Sequence, residues 1–100
     1  MITCFIRYEI EPFKREAYGE YAANWNRIIP RLGPELIGYY APHEGSLTTG
    51  YGLYNIDSLA AYEAYKTKLA ADPEARANLD LARREGFIRR EDRIFLRRVT

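Results

Sequence analysis

Cysteine and histidine are nearly absent from this chain, with one of each, Cys4 and His43. A lone cysteine rules out an intrachain disulfide and any thiolate metal cluster. A lone histidine, with no second and third ligand at metal-binding spacing, gives no reason to expect a metal site. Long apolar runs are missing too. Stretches such as Leu36-Ile37 fall far short of the roughly 20 residues a membrane span needs. Residues 1–20 carry charges from Arg7 onward and show no signal-peptide core or cleavage site, so the expected location is the cytoplasm. The net charge of +1 offers no whole-chain field for nucleic acid. Arginines do crowd the stretch from Arg83 to Arg98, but Glu85, Glu91 and Asp92 are interleaved among them. That pattern suits ion pairs better than a phosphate track, and nucleic acid is not an expected partner.

What the chain has in excess is tyrosine, nine in 100 residues. A tyrosine pairs an apolar ring with a polar tip, so it collects at interfaces and pocket walls. The length corresponds to one domain, residues 1–100, able to bury roughly 65% of its unfolded surface.

Residues 2–10 alternate, with Ile2, Cys4, Ile6, Tyr8 and Ile10 on one side and Thr3, Phe5, Arg7 and Glu9 on the other. This is a strand with one buried face. Pro12 suits the first turn of a helix, and apolar positions from Phe13 through Ala17, Tyr21, Trp25, Ile28 and Leu32, with Tyr18, Ala22 and Ile29 beside them, recur three or four apart. Pro30 weakens the last turn, and Gly33-Pro34 stops the helix. Glu35–Ala41 and Thr49–Ile56 read as strands. Gly50 and Gly52 share one face of the latter and leave a shallow place for something else to approach. Asp57-Ser58 caps a helix from Leu59 to about Leu69, and Asp72-Pro73 starts a short one ending at Gly86. The last strand is expected over Asp92–Val99.

This order predicts an α+β fold, a ferredoxin-like βαββαβ sandwich with an extra short helix. Helices then cover one sheet face only. The open face, with Phe5 and Arg7 and aromatics from the Tyr39-Tyr40 and Tyr51–Tyr54 strands, predicts a homodimer paired sheet to sheet into an α+β barrel. Arg7 and Glu9 on that face are expected to pair with charges such as Arg93 or the neighbours of Arg97, or across the twofold.

The run Gly38-Tyr39-Tyr40, His43-Glu44-Gly45, then Gly52-Leu53-Tyr54 leading into Asp57-Ser58-Leu59-Ala60-Ala61-Tyr62-Glu63, resembles the NIPSNAP family. Lys68-Leu69 with Asp72-Pro73 extends the likeness, which spans nearly the whole chain. The resemblance implies the dimeric α+β barrel superfamily, which includes small cofactor-free monooxygenases, haem-degrading enzymes and members with no known activity. Where the family often carries an aromatic-arginine-aromatic run on the third strand, this chain reads Leu53-Tyr54-Asn55-Ile56. Haem-handling relatives use a helix-borne axial histidine, whereas His43 falls at a strand end or loop, so no cofactor is expected.

Four residues stand out as candidates. His43, beside Glu44, is the weak candidate for acid-base catalysis, weighed against a solvated loop pair. Tyr21 and Trp25 on the first helix and Tyr62 on the second could wall a pocket between helices and sheet for a small apolar or aromatic ligand. The same spacing also suits plain core residues. Cys4 is expected to be a buried, inert thiol. Three functions remain open: a small-molecule-binding dimer of unassigned activity, a cofactor-free monooxygenase or isomerase, and a protein-interaction scaffold.

Overall fold

The structure is a computed structural model that describes all of residues 1–100. Strand β1 (Ile2–Ile10) alternates as its sequence demands, and Ile2, Cys4, Ile6, Tyr8 and Ile10 are all buried. It runs through the middle of a four-stranded antiparallel sheet of order β2-β3-β1-β4, with β2 at Glu35–Tyr40, β3 at Thr49–Ile56 and β4 at Ile88–Leu96. Helices α1 (Arg15–Arg31), α2 (Leu59–Ala71) and α3 (Pro73–Glu85) complete the order β1-α1-β2-β3-α2-α3-β4. Their buried residues join the inward side chains of β1 and β3 in one core of 17 residues.

Helix α1 starts at Arg15, later than the Pro12 signal implies. Phe13 takes the left-handed region at φ 68°, a conformation that ends the strand in a turn and leaves its ring exposed. Pro30 does not break the helix, which continues to Arg31. Only Arg31 follows it in the helix, so little regular structure lies beyond the proline to be disrupted. The next two helices begin as their caps require. Ser58 Oγ accepts from the Ala61 amide at 3.0 Å and Asp72 Oδ2 from the Ala75 amide at 2.9 Å, with Pro73 in the first helical position. At 13 residues α3 equals α2 in length, and it runs between the bounds its Asp72-Pro73 start and Gly86 stop imply. Gly86 ends it at φ 64°.

The two glycines of β3 show what the alternating gaps are for. A Cβ at Gly50 would lie 2.6 Å from the Tyr18 ring, and one at Gly52 would lie 2.6 Å from the Tyr39 ring. The shallow place predicted on this face is filled by the chain's own tyrosines. Tyr18 packs there from α1, its hydroxyl shared between the Tyr40 and Tyr51 carbonyls at 3.2 and 3.3 Å. Tyr39 reaches the inner face because β2 shifts register between Leu36 and Gly38, setting Tyr39 opposite Gly52.

Strand β4 corrects two expectations. It begins at Ile88 and ends at Leu96, displaced towards the N-terminus from Asp92–Val99. Gly86 turns the chain, Phe87 buries its ring 5.6 Å from that of Tyr21, and Ile88 pairs at once with Ile10. In this register Arg93 lies opposite Ile6 and Glu91 opposite Tyr8, so both point to the helix side. Arg7 lies on the other face, opposite Asp92 and Tyr51, and the expected pairing of Arg7 and Glu9 with Arg93 does not form. Period two puts them on opposite sides.

Helix α3 is tied to α1 by polar contacts. The buried Asn78 donates to the Tyr21 carbonyl at 3.0 Å and accepts from Asn24 at 2.9 Å. Arg31 grips Asp72 with two bonds of 2.8 and 2.9 Å, and Arg27 pairs with Glu74. On the outer face Phe5 and Tyr51 stack at 5.4 Å, and Tyr40, Ile94 and Leu96 are exposed. No helix is long and apolar enough to cross a membrane.

Candidate functional site

Between the helices and the sheet lies a cavity of about 130 Å³. Its floor is Ile6, Tyr8, Tyr39 and Tyr54 from the sheet, and α1 contributes Tyr21, Trp25 and Ile29. Helix α2 contributes Tyr62, Tyr65, Lys66 and Leu69. Leu79 of α3 completes the wall, with Glu91 and Arg93 of β4.

The space exists because of how aromatic rings meet. Edge-to-face contact is favoured over stacking, and rings held edge to face leave corners that branched aliphatics would fill. Tyr21 meets Trp25 at 85° and 5.6 Å, Tyr8 meets Tyr21 at 85° and 6.1 Å, and Tyr54 meets Tyr65 at 63° and 5.5 Å. Tyr62 stands on Phe95 of β4 at 4.7 Å.

The polar groups are mostly donors. The Tyr8 and Tyr39 hydroxyls lie 3.1 Å apart. Burial holds the phenols of Tyr8, Tyr21, Tyr39, Tyr54 and Tyr65 above their ordinary pKa, so they stay protonated at neutral pH. Burial also raises the Cys4 thiol, with Tyr54 and Arg93 pulling the other way. The indole N–H of Trp25 is buried with no partner. Arg93 donates from Nη2 to Glu91 Oε2 at 3.2 Å, each side chain about a third exposed (35% and 34%). Burial works hardest against the Arg93 charge, but Glu91 together with Tyr62, Tyr54 and Cys4 outweighs it and the guanidinium pKa is raised. Such an arrangement has hydrogen bonds to donate into the cavity. Its one carboxylate is engaged by arginine.

Three of the four predicted site residues converge here, namely Tyr21, Trp25 and Tyr62. His43 does not join them. It sits exposed on the β2–β3 loop, beside Phe13, Arg15, Pro42 and Leu47. Cys4 is fully buried on the inner face. Sequence reasoning missed Tyr39, Tyr54 and Tyr65, and above all Glu91 and Arg93. The signal for the last pair was present as two charges spaced i and i+2 on a strand, but it needed the correct start of β4 to be legible. No group of three or more His, Cys, Asp or Glu side chains is placed to hold a metal ion.

An antiparallel sheet of this order with its helices on one face defines a ferredoxin-like α+β sandwich. The sequence profile of the NIPSNAP family matches residues 3–100, and the chain belongs to that family. Among solved structures, an uncharacterized NIPSNAP domain protein from Burkholderia xenovorans is similar, with 20% identity and a TM-score of 0.81. The match covers 100% of this chain and 96% of that one. A NIPSNAP family protein from Agrobacterium tumefaciens matches with 25% identity and a TM-score of 0.80, over 98% and 85% of the two chains. A putative antibiotic biosynthesis monooxygenase from Nitrosomonas europaea matches with 12% identity and a TM-score of 0.75, over 100% of both chains. That last likeness is one of fold. No curated protein matches the sequence.

Proposed function

We propose that this NIPSNAP chain is a single-domain cytoplasmic protein that works as a homodimer and binds a small apolar or aromatic molecule between its helices and sheet. The observation that carries the reading is the tyrosine-walled cavity at the place where Tyr21, Trp25 and Tyr62 converge. Its volume is well below the ~300 Å³ of ordinary drug-sized pockets, so the ligand is small. The dimer rests on the outer sheet face. Ile94 and Leu96 are 52% and 45% exposed there, beside Phe5, Tyr51 and Leu53, with no helix over them. A second copy packed on this face should bury at least ~1,000 Å².

Sedimentation equilibrium at micromolar concentration should give twice the chain mass, and a clean monomer sinks the dimer. For the ligand, phenol and indole serve as probes. Binding to the native state alone raises the melting temperature, and a ring beside Trp25 quenches its fluorescence. Trp25→Leu, which removes the one tryptophan of the chain, should weaken the thermal response while leaving the dimer intact. A flat thermal and fluorescence response to both probes counts against the cavity as a site.

A further inference from the structure

We propose that the cavity seats a one-ring organic monoacid, its carboxylate on Arg93 and its ring among Trp25, Tyr62 and Tyr65. The proposal rests on the small-molecule reading above and adds the size, charge and polarity of the ligand.

Size comes first. An apolar cavity of about 150 Å³ takes a benzene molecule. At about 130 Å³ this one holds a single ring, with any substituent directed to its mouth. The charge follows from β4. Arg93 occupies an inward position opposite Ile6, on the face where β1 presents only Ile, Cys and Tyr. With 35% of its side chain exposed, it stands at the edge of the cavity and not deep inside it. Its bond to Glu91 uses one of the guanidinium's five N–H groups, and the Cys4 thiol beside it is a weak acceptor. Much of a planar fork matched to a carboxylate is left over.

The charged groups facing this position can be named. Among the lining residues, Arg93 and Lys66 are cationic and Glu91 is anionic, and because Glu63 outside the cavity partners Lys66, the attraction for an anion comes from the N–H groups of Arg93 that Glu91 leaves free. Lys66 lies 5.1 Å over the Tyr62 ring and meets Glu63 at 3.2 Å on the exposed side of α2. The phenols around them are neutral. A cationic ligand would need Glu91, which Arg93 already engages.

The polarity follows from Trp25. Its ring is 4% exposed and lines the cavity, and its Nε1–H, close to the Tyr21 hydroxyl, makes no hydrogen bond of good geometry within the protein. A buried donor without a partner costs stability, and an acceptor on the bound molecule would relieve that cost. Phenols, an indole N–H and a guanidinium together make a donor-rich wall, which selects a ligand rich in acceptors.

The test is isothermal titration of the full chain at low ionic strength with benzoate, benzamide and benzylamine. Benzoate should bind at least about tenfold more tightly than benzamide and quench Trp25. Arg93→Met should abolish the preference while leaving benzamide binding in place. Glu91→Gln should tighten benzoate binding, because it removes the one opposing charge. This second variant moves the result the other way and keeps the proposal testable if Arg93→Met folds poorly. Equal binding of benzoate and benzamide, a preference for benzylamine, or a benzoate preference that survives Arg93→Met overturns the acid assignment and leaves the small-molecule reading standing. Failure of all three to bind, with no thermal shift from phenol or indole, overturns both.

Discussion

Helix α1 buries Tyr18, Tyr21, Ala22, Trp25, Ile28 and Ile29, while α2 buries Tyr62 and Tyr65. Both lie on the same face of the same sheet. The difference is in the floor beneath them. Under α1, Gly50 offers bare backbone and Tyr18 settles against it. Beside it Gly52 receives the Tyr39 ring. Under α2 the floor carries full-sized rings, and Tyr62 and Tyr65 stand on Phe95 and Tyr54. One helix is notched into the sheet and the other is propped above it. The cavity is what the propping leaves. A strand's glycines therefore govern the fit of a helix over it as strongly as the helix's own residues do.

That contrast can be broken at its centre. Tyr18→Ala should cost about 3–5 kcal/mol in urea unfolding, because a full ring leaves a sealed site. Tyr62→Ala should cost at least about 1 kcal/mol less, since its ring already borders free space and has fewer contacts to lose. Equal losses would show that α2 is as tightly seated as α1.

The notch itself is the next target. Gly50→Ala sets a methyl 2.6 Å from the Tyr18 ring and should destabilise by about 1–3 kcal/mol. Gly19 lies in α1, and a methyl added there would meet nothing within 4 Å. Gly19→Ala should therefore respond the opposite way, gaining about 0.5–1 kcal/mol. Two Gly→Ala changes of the same sign would mean that space at Gly50 is not what limits the packing.

A third experiment reads both helices together through their phenols. Tyrosines 8, 18, 21, 39, 54 and 65 all have their pKa raised above 10.0 by burial. The unfolded chain releases those protons near pH 10 and the folded chain does not. The stabilisation is therefore complete below pH 10 and is lost as pH climbs above it. Phenolate absorbance and loss of helical signal should rise together in one transition. Phenolate forming to its full extent in a still-folded protein would contradict the burial.

The smallest effect belongs to the joint between α1 and α3. Arg31 lowers the Asp72 carboxyl from 3.8 to about 2, with help from the Ala75 amide. A depressed acid adds stability that is present above pH 3.8 and lost as pH falls through about 2. Asp72→Asn keeps a good cap but removes the ion pair, so its acid-unfolding curve should be flatter in that window than the parent's. Superimposable curves would assign acid sensitivity to other carboxylates.

Much of this was legible from residue order alone. The strict alternation of β1, the i, i+3, i+4 stripe of α1 and the caps at Ser58 and Asp72 are local signals, and each element formed where its signal stood except at the start of α1. Tyr21, Trp25 and Tyr62 could be brought together because two apolar helix stripes over one sheet face must look at the same floor. What stayed hidden depended on contacts distant in sequence. The left-handed Phe13, which delays α1, is not implied by any neighbour. The register shift of β2 turns Tyr39 inward only because Gly52, 13 positions away, leaves room. Strand β4 carries charges on both faces, so its pattern cannot say where it begins, and Arg93 falls on the opposite side from the one expected.

The two margins of the sheet bear on how copies of this protein can meet. β2 is six residues long and broken by its register shift, and β4 carries Arg89, Arg90 and Arg93 along its length. Short, irregular or charged margins discourage strand-by-strand growth from one molecule to the next. With both margins blunted, association is channelled to the broad face of the sheet. A face joined to its own copy about a twofold axis uses itself up and stops at two. For the homodimer proposed above, that means a closed pair and not an open-ended ribbon.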